Sequence, residues 1–347
     1  MKRRKIAAAV LLFAISAAGA SGCQSSQETF GEKVYAGVTC YDQSDTFVSE
    51  LLDCFKEELE SYGGDTLEVN VTVRDAAGSQ RTQNDQVKEL LDGGCNVLCV
   101  NLVDRADPSE IIDLAREQEV PVIFFNREPV AEDMLQWDRI YYVGADAKQS
   151  GVMQGELAAD VIQGDSSIDR NRDGKIQYVV LEGEAGHQDA IIRTENAVDT
   201  LRKKGIQLEK LSYGIANWNR AQAQTRMMQI ISEHPNKIEL VLANNDDMAL
   251  GALDAYEKLN VTESALPVFF GIDGTEVGLE AVADSRLSGT VYNDKEGQGE
   301  AMAKLAVSLI TGKGMEDMEF EKERYVYLPY SKVTSENVSE FIRKREP

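Results

Sequence analysis

The sequence predicts an α/β fold of two doubly wound parallel-sheet lobes. Short apolar runs alternate with amphipathic segments of helical period along nearly the whole chain. Several of these runs, such as PVIFF at 121–125 and LVLA at 240–243, are apolar without a break. That is the pattern of strands buried on both faces, and hence of a parallel sheet. The rhythm restarts after Gly144, in a chain of 347 residues that has room for two domains of ordinary size.

Residues 34–41 read as the first strand. Residues 47–62 follow as a helix, with Leu51, Leu52, Phe55 and Leu59 on one face. Strands are expected at 67–73, 96–103, 121–126 and 141–144, with helices at 83–91 and 110–118 between them. Past Gly144 come a helix at 151–162, a strand at 176–181, a helix at 188–203 and a strand near 211–215. Helices at 221–232, 247–258 and 276–283 then alternate with strands at 238–243, 267–272 and 288–292. A last helix is expected at 297–311, and the tail carries the segment 324–329.

The ends of these apolar strands are polar. The first strand leads to Tyr41, Asp45 and Phe47, and PVIFF to Asn126. The 176–181 strand leads to His187, Asp189 and Arg193, and the next one to Trp218. Asn245, Asp273 and Asn293 close the remaining strands. Singly, an Asp or Asn after a strand is most simply a helix cap, and a lone His or Trp is most simply structural. Collectively, they deliver planar polar groups to one edge, where open α/β sheets bind ligands. Carboxylates, carboxamides and guanidinium groups each meet two neighbouring hydroxyls of a polyol, and aromatic rings cover the C–H faces of a sugar. Three acids outweigh Arg193 and a protonatable His187, so an anionic ligand is disfavoured. Hydrogen bonds to charged groups contribute roughly 1.5–3 kcal/mol each, which after desolvation and closure costs is compatible with submicromolar binding.

A second local pattern is Asp169, Asn171 and Asp173, followed by Gly174, Lys175, Ile176 and Gln177. This is the opening of an EF-hand calcium loop: oxygen ligands at positions 1, 3 and 5, a glycine at the sharp turn and a backbone carbonyl at position 7. Position 12, where a bidentate Glu belongs, is Val180 in an apolar run. The loop therefore enters a strand, and its last carboxylate must come from elsewhere.

The N-terminus reads as an export signal. Lys2, Arg3, Arg4 and Lys5 precede an apolar run at 6–20 that is short for a membrane span. Ala20, Ser21, Gly22 and Cys23 resemble a lipoprotein cleavage box, so residues 1–22 are expected to be removed and Cys23 lipidated, with 23–33 as a tether. A lipid on Cys23 anchors a body to the cell membrane without spanning it. The formal net charge is −23, and loss of the basic signal makes it more negative still. Such a body repels nucleic acid and anionic lipid. Cys40, Cys54, Cys95 and Cys99 show neither metal-knuckle spacing nor a disulfide framework and read as buried thiols; Cys40 with Cys54 is the one pair to test for a bridge.

The blocks QNDQ at 83–86, NLVD at 101–104, VPVIFFNREP at 120–129, YYVG at 141–144, DxNxDGxIQ from Asp169, GExGHxDAxxR at 183–193, IELVLANND at 238–246 and GTVYND at 289–294 are long, ordered and distinctive. Through them the chain, over roughly residues 34–345, resembles the bacterial galactose/glucose-binding proteins, type I periplasmic binding proteins that serve ABC sugar importers. The resemblance implies a three-segment hinge near 142–146, 291–295 and 328–332. It implies an N-terminal lobe of 34–143 plus 295–328 and a C-terminal lobe of 144–294 plus 329–347. It places a sugar between Phe47 and Trp218, with Tyr41, Asp45, Asn126, His187, Asp189, Arg193, Asn245, Asp273 and Asn293 as polar ligands. Asp45 then resembles the contact of the O4 hydroxyl, Asn126 and Asp189 contacts of the ring and anomeric end, and Arg193 the bidentate donor. A structural calcium ion would be held by Asp169, Asn171, Asp173, the Lys175 carbonyl, Gln177 and the distant Glu239. Gln188 stands where the family often has proline.

The resulting expectation is a monomeric, extracytoplasmic receptor that closes on D-glucose or D-galactose and docks on the membrane subunits of an ABC importer. The alternative reader of the closed form is a chemoreceptor or a membrane sensor kinase. An enzymatic role is not expected: a glycosidase needs two carboxyls flanking a scissile bond, whereas these acids come interleaved with Asn, Arg and Trp. The export signal and the lack of a DNA-binding head exclude a transcription regulator.

Overall fold

The structure, a computed structural model, describes residues 32–262 and 265–342. The export signal, Cys23 and most of the tether lie outside the described residues. Among the described residues, twelve strands and nine α-helices follow one another in the alternation read from the sequence.

The first sheet contains β1 (Glu32–Cys40), β2 (Leu67–Asp75), β3 (Val97–Val100), β4 (Val122–Phe125), β5 (Ile140–Ala145) and β11 (Tyr325–Leu328), in the order β11-β5-β4-β3-β1-β2. Every pairing in it is parallel. Strands β3 and β4 are buried throughout because helices cover both faces. Successive side chains of a strand point to opposite faces, and the core divides accordingly. Ile123 and Phe125 pack with Leu51 and Phe55 of α1 (Thr46–Ser61) and with Met302 of α9 (Lys295–Thr311). Val122 and Phe124 pack with Leu90 of α2 (Gln80–Asp92) and Ile111 of α3 (Ser109–Glu117). A continuous apolar run is thus two half-strands serving two cores.

The second sheet has the order β7-β6-β8-β9, formed by β6 (Ile176–Glu182), β7 (Leu208–Ile215), β8 (Leu240–Ala243) and β9 (Val268–Phe270), again all parallel. Strand β10 (Thr290–Asn293) follows β9 through parallel bridges at Phe270–Gly289 and Asp273–Tyr292. It pairs antiparallel with β12 (Tyr330–Val333). Helices α4 (Ala147–Gly164) and α5 (Gln188–Lys203) cover one face, where Leu240 and Leu242 point. On the other lie α6 (Arg220–Glu233) and α7 (Asp246–Lys258), toward Val241 and Ala243. Helix α8 (Glu276–Ala283) packs against α7.

The chain passes from one layered unit to the other after Ala145, after Asn293 and at Pro329. Strand β5 belongs to the first sheet while α4 packs on α5, and β11 pairs with β5 while β12 pairs with β10. Strand β12 is absent from the sequence reading. It is four residues long and exists only because β10 offers it an edge. Cys40, Cys54, Cys95 and Cys99 are buried free thiols, so the Cys40–Cys54 bridge is not formed. Burial pushes the Cys40 thiol up to about 12. Among the described residues no helix is long and apolar enough to cross a membrane.

Candidate functional site

The carboxyl ends of both sheets face each other across a cleft, and ten of the eleven polar and aromatic residues singled out above line one small cavity within it. Tyr41, Asp45, Phe47 and Asn126 come from the first unit; His187, Asp189, Arg193, Trp218, Asn245 and Asp273 come from the second. The space they enclose is ≈ 30 Å³, of the order of one water molecule, so a larger ligand enters only when the units part.

Helix capping and ligand presentation turn out to be the same device. Asp45 caps α1, its Oδ1 accepting from Val48 N at 3.0 Å, and its other oxygen accepts from the Tyr41 hydroxyl. Asn245 caps α7 through Oδ1 at 2.9 Å from Met248 N, and its amide donates to the Trp218 carbonyl at 3.1 Å. The imidazole of His187 caps α5, its Nδ1 accepting from Asp189 N at 3.2 Å. Each cap spends one acceptor on the backbone and keeps its remaining face toward the cleft.

Backbone geometry also aims these side chains. Asn126, Trp218 and Asp273 have φ of 59°, 60° and 110°. Such values are uncommon for residues with a Cβ and cost of order 1–3 kcal/mol where the surroundings impose them. At Trp218 the imposed surroundings include Gly183. A Cβ on Gly183 would sit 2.1 Å from the indole, so the ring lies flat against bare backbone. The Trp218 Nε1 is buried without a hydrogen-bond partner in the protein, as is Nε of Arg193.

Arg193 is the organising cation. It donates to Asn244 O at 2.7 Å and to the Tyr330 hydroxyl at 3.2 Å, and lies 3.5 Å from Asp273 Oδ1. Burial works against its charge, but Tyr330, Asp273 and Asp189 more than compensate and raise its pKa. Burial raises the carboxyl of Asp273 well above the ordinary range despite Arg193. It does the same, less strongly, to Asp45 despite the Tyr41 hydroxyl and to Asp189 despite Arg193 and Arg127. His187 is pushed down to about 3, first by burial and then by Arg127 and Arg193. The protonatable His187 of the sequence reading is therefore a neutral imidazole: two guanidinium groups nearby leave no room for a third cation.

Asn293 stands behind the cavity and not on it. Its backbone N–H donates to Asp273 O at 2.9 Å and its Oδ1 accepts from Gln298 at 2.7 Å, so it fixes the position of Asp273. Two residues that face or shape the site escaped the sequence reading. Arg127 is 4% exposed, stacks 3.5 Å above the Tyr41 ring and reaches Glu184 of the other unit at 2.6 Å. Asn101, fully buried, accepts from Tyr41 N at 3.3 Å and donates to Asn126 Oδ1 at 3.0 Å, so one amide positions two cavity residues. Both stand beside residues that were recognised, at strand ends, which was the available signal.

The acidic loop closes on itself through side-chain oxygens that accept from its own backbone. Asp173 N donates to Asn171 Oδ1 at 2.8 Å, Gly174 N to Asp169 Oδ2 at 2.9 Å, and Gly174 has φ of 79°. Glu239, 2% exposed, is brought beside the loop from the start of β8: its carboxylate accepts from Arg170 N at 2.7 Å and Gln177 N at 3.0 Å. Among the described residues it has backbone donors and no ion pair, an unusual state for a buried carboxylate. No three His, Cys, Asp or Glu side chains gather into a cage among the described residues. The oxygen set is completed by amides and a carbonyl, which suits a hard cation such as calcium.

Two parallel sheets with a polar cleft at their carboxyl ends have the architecture of the two-lobed solute-binding proteins. Residues 36–314 match the family model of the periplasmic binding protein domain, and the chain belongs to that family of solute-binding proteins. It is 37% identical over 322 residues to the D-galactose/methyl-galactoside binding periplasmic protein MglB of Haemophilus influenzae, covering 92% of this chain and 95% of the relative. It is 29% identical over 278 residues to a xylitol-binding protein of Mycolicibacterium smegmatis, covering 80% of this chain and 72% of the relative. An ABC transporter solute binding protein from Bacillus halodurans, solved with bound myo-inositol, superposes with a TM-score of 0.73 at 28% identity, covering 90% of this chain and 98% of that one.

Proposed function

We propose that this protein is an extracytoplasmic receptor for a neutral hexose, D-galactose or D-glucose, which it holds in the interlobe cavity and delivers to an ABC importer. The observation that carries the reading is the composition of that cavity. Two aromatic residues, Phe47 and Trp218, come from opposite units, and around them stand three carboxyls, two carboxamides, two guanidinium groups and a neutral imidazole. A polyol satisfies such a set with its hydroxyls, each acting as donor and acceptor at once. The ligands in the names of the three similar proteins (a galactoside, xylitol and myo-inositol) are all neutral polyols, and the most similar of the three binds galactose by name. In this reading Asp45 accepts from the hydroxyl at O4, Arg193 donates in bidentate fashion, and Trp218 covers one face of the ring.

A calcium ion fits the 169–177 loop with Glu239 and would be held by Asp169, Asn171, Asp173, the Lys175 carbonyl, Gln177 and Glu239. When bound it would neutralise the buried Glu239 and the loop carboxylates and stiffen the second unit at a distance from the sugar.

Titration calorimetry with D-galactose, D-glucose, methyl galactoside, xylitol and myo-inositol tests the assignment. Galactose or glucose should bind below about 1 μM, and Trp218→Ala should weaken binding by roughly 100-fold, the cost of losing about 3 kcal/mol of aromatic contact. Absence of heat with both hexoses, or near-normal affinity in the variant, contradicts the reading.

A further inference from the structure

Beside the sugar cavity lies a second, larger one. It encloses ≈ 590 Å³, within the roughly 300–1,000 Å³ of ordinary ligand sites. Asp189 lines both cavities, so the two share a wall. Ala145, Asp146, Leu328 and Pro329, at two of the three crossings between the units, form its floor. Points next to a rotation axis move least, so the lining at these crossings should shift less than the rest of the cleft when the units open and close.

Its chemistry repeats that of the sugar cavity. Tyr327 presents a ring, its hydroxyl donating to Glu128 at 3.1 Å, and the hydroxyl of the adjoining Tyr142 donates to Asn126 O, directly behind a sugar-cavity residue, at 2.9 Å. Gln188 and Asp189 bring planar polar groups from the first turn of α5. Among the described residues neither the Gln188 amide nor the Asp189 carboxylate has a hydrogen-bond partner for its side chain. Four carboxyls (Glu128, Asp146, Asp189 and Glu321) face a single ammonium, that of Lys322. That balance excludes a phosphate or a uronic acid.

We propose that the cavity on the hinge side is a second sugar subsite, so that the protein accepts a disaccharide with one hexose in the interlobe cavity and its partner ring passing Asp189 to lie against Tyr327 and Gln188. The proposal rests on the hexose reading of the interlobe cavity. It extends the substrate class from monosaccharides to short neutral glycosides.

The test is titration calorimetry of the purified protein with galactose, glucose, lactose, melibiose, maltose and cellobiose. At least one disaccharide should bind within about tenfold of its own monosaccharide. Gln188→Trp, which fills the cavity from a partly exposed position, should weaken that disaccharide by about tenfold or more and leave the monosaccharide within about twofold. Gln188→Ala, which leaves the cavity open but removes one amide contact, should weaken the disaccharide less than Gln188→Trp does. Binding of the monosaccharide with every disaccharide weaker by more than about tenfold overturns the subsite alone. Equal loss of both ligands in Gln188→Trp, or loss of neither, also overturns it, since the second ring would then lie elsewhere. Failure of every monosaccharide removes the hexose reading, and the subsite with it.

Discussion

A single buried carboxyl shows how this chain places charge. Asp246, the first residue of α7, is fully buried and accepts from Thr290 Oγ1 at 2.6 Å and Thr275 N at 2.9 Å. Burial nevertheless raises its pKa to about 7, above what the threonines can offset. The folded state thus holds the proton more tightly than the unfolded chain, whose Asp titrates near 3.9. The favourable contribution of the protonated form is fully present below the unfolded value and is lost as pH rises through about 7. Asp246→Asn removes this dependence. Relative to the variant, wild type should gain on the order of 3 kcal/mol between pH 8 and pH 4.5 in urea unfolding. A constant difference across that range contradicts the assignment. In the sequence Asp246 is one more polar residue after LVLA, indistinguishable in kind from Asn245 beside it. Only the burial of one and the cavity position of the other separate them.

At the scale of elements, the acidic loop was the most legible feature because its information is local. Its turn and its acidic side chains sit within nine residues and need only their own backbone to converge. Glu239 was different: no periodicity points to it, and the family resemblance supplied it. The structure brings it beside the loop because β6 and β8 are neighbours, with Glu239 N donating to Gln177 O at 2.8 Å. If the loop binds calcium, Asp173→Ala should abolish the stabilisation that calcium gives wild type. A ligand at 100 times its Kd contributes about 2.7 kcal/mol, so the difference should be several degrees in calorimetric Tm, cancelled by a chelator. Hexose affinity should stay within about threefold, because the loop lies away from the cleft. Equal calcium response in the variant and wild type removes the assignment. Helices were found within a few residues for the same local reason, since caps and apolar faces are written in adjacent residues. Strand β12 was not, because its four residues have no pattern of their own.

For the whole molecule, the decisive contact is Arg127. Its guanidinium is held between the Tyr41 ring and Glu184, with a further bond to Val103 O at 2.9 Å, and so joins the two units at the mouth of the sugar cavity. Thr46 to Asp247 at 2.6 Å and Lys295 to Gly274 O at 3.2 Å add to the same closed arrangement. These contacts join the two units through the protein's own side chains and so bias the equilibrium toward closure. Arg127→Ala should therefore shift the ligand-free protein toward the open form. Its ligand-free radius of gyration by X-ray scattering should rise, while the sugar-bound value stays at that of wild type. Sugar affinity should fall by about 3–10-fold, as the competent form is less populated. An unchanged ligand-free radius would show that the pair does not control closure.

The sequence by itself determined the alternation of strands and helices, the parallel character of the sheets and most of the cavity residues. Each of these is fixed by short-range patterns: continuous apolar runs, capped helix starts, and polar residues one step past a strand. The tertiary structure alone decided what those residues do together. It made His187 neutral, set Asn293 behind Asp273, brought Arg127 across the cleft and opened a second cavity beside Asp189. Charge state, orientation and shared walls depend on distances between segments far apart in the chain, and no local pattern encodes a distance.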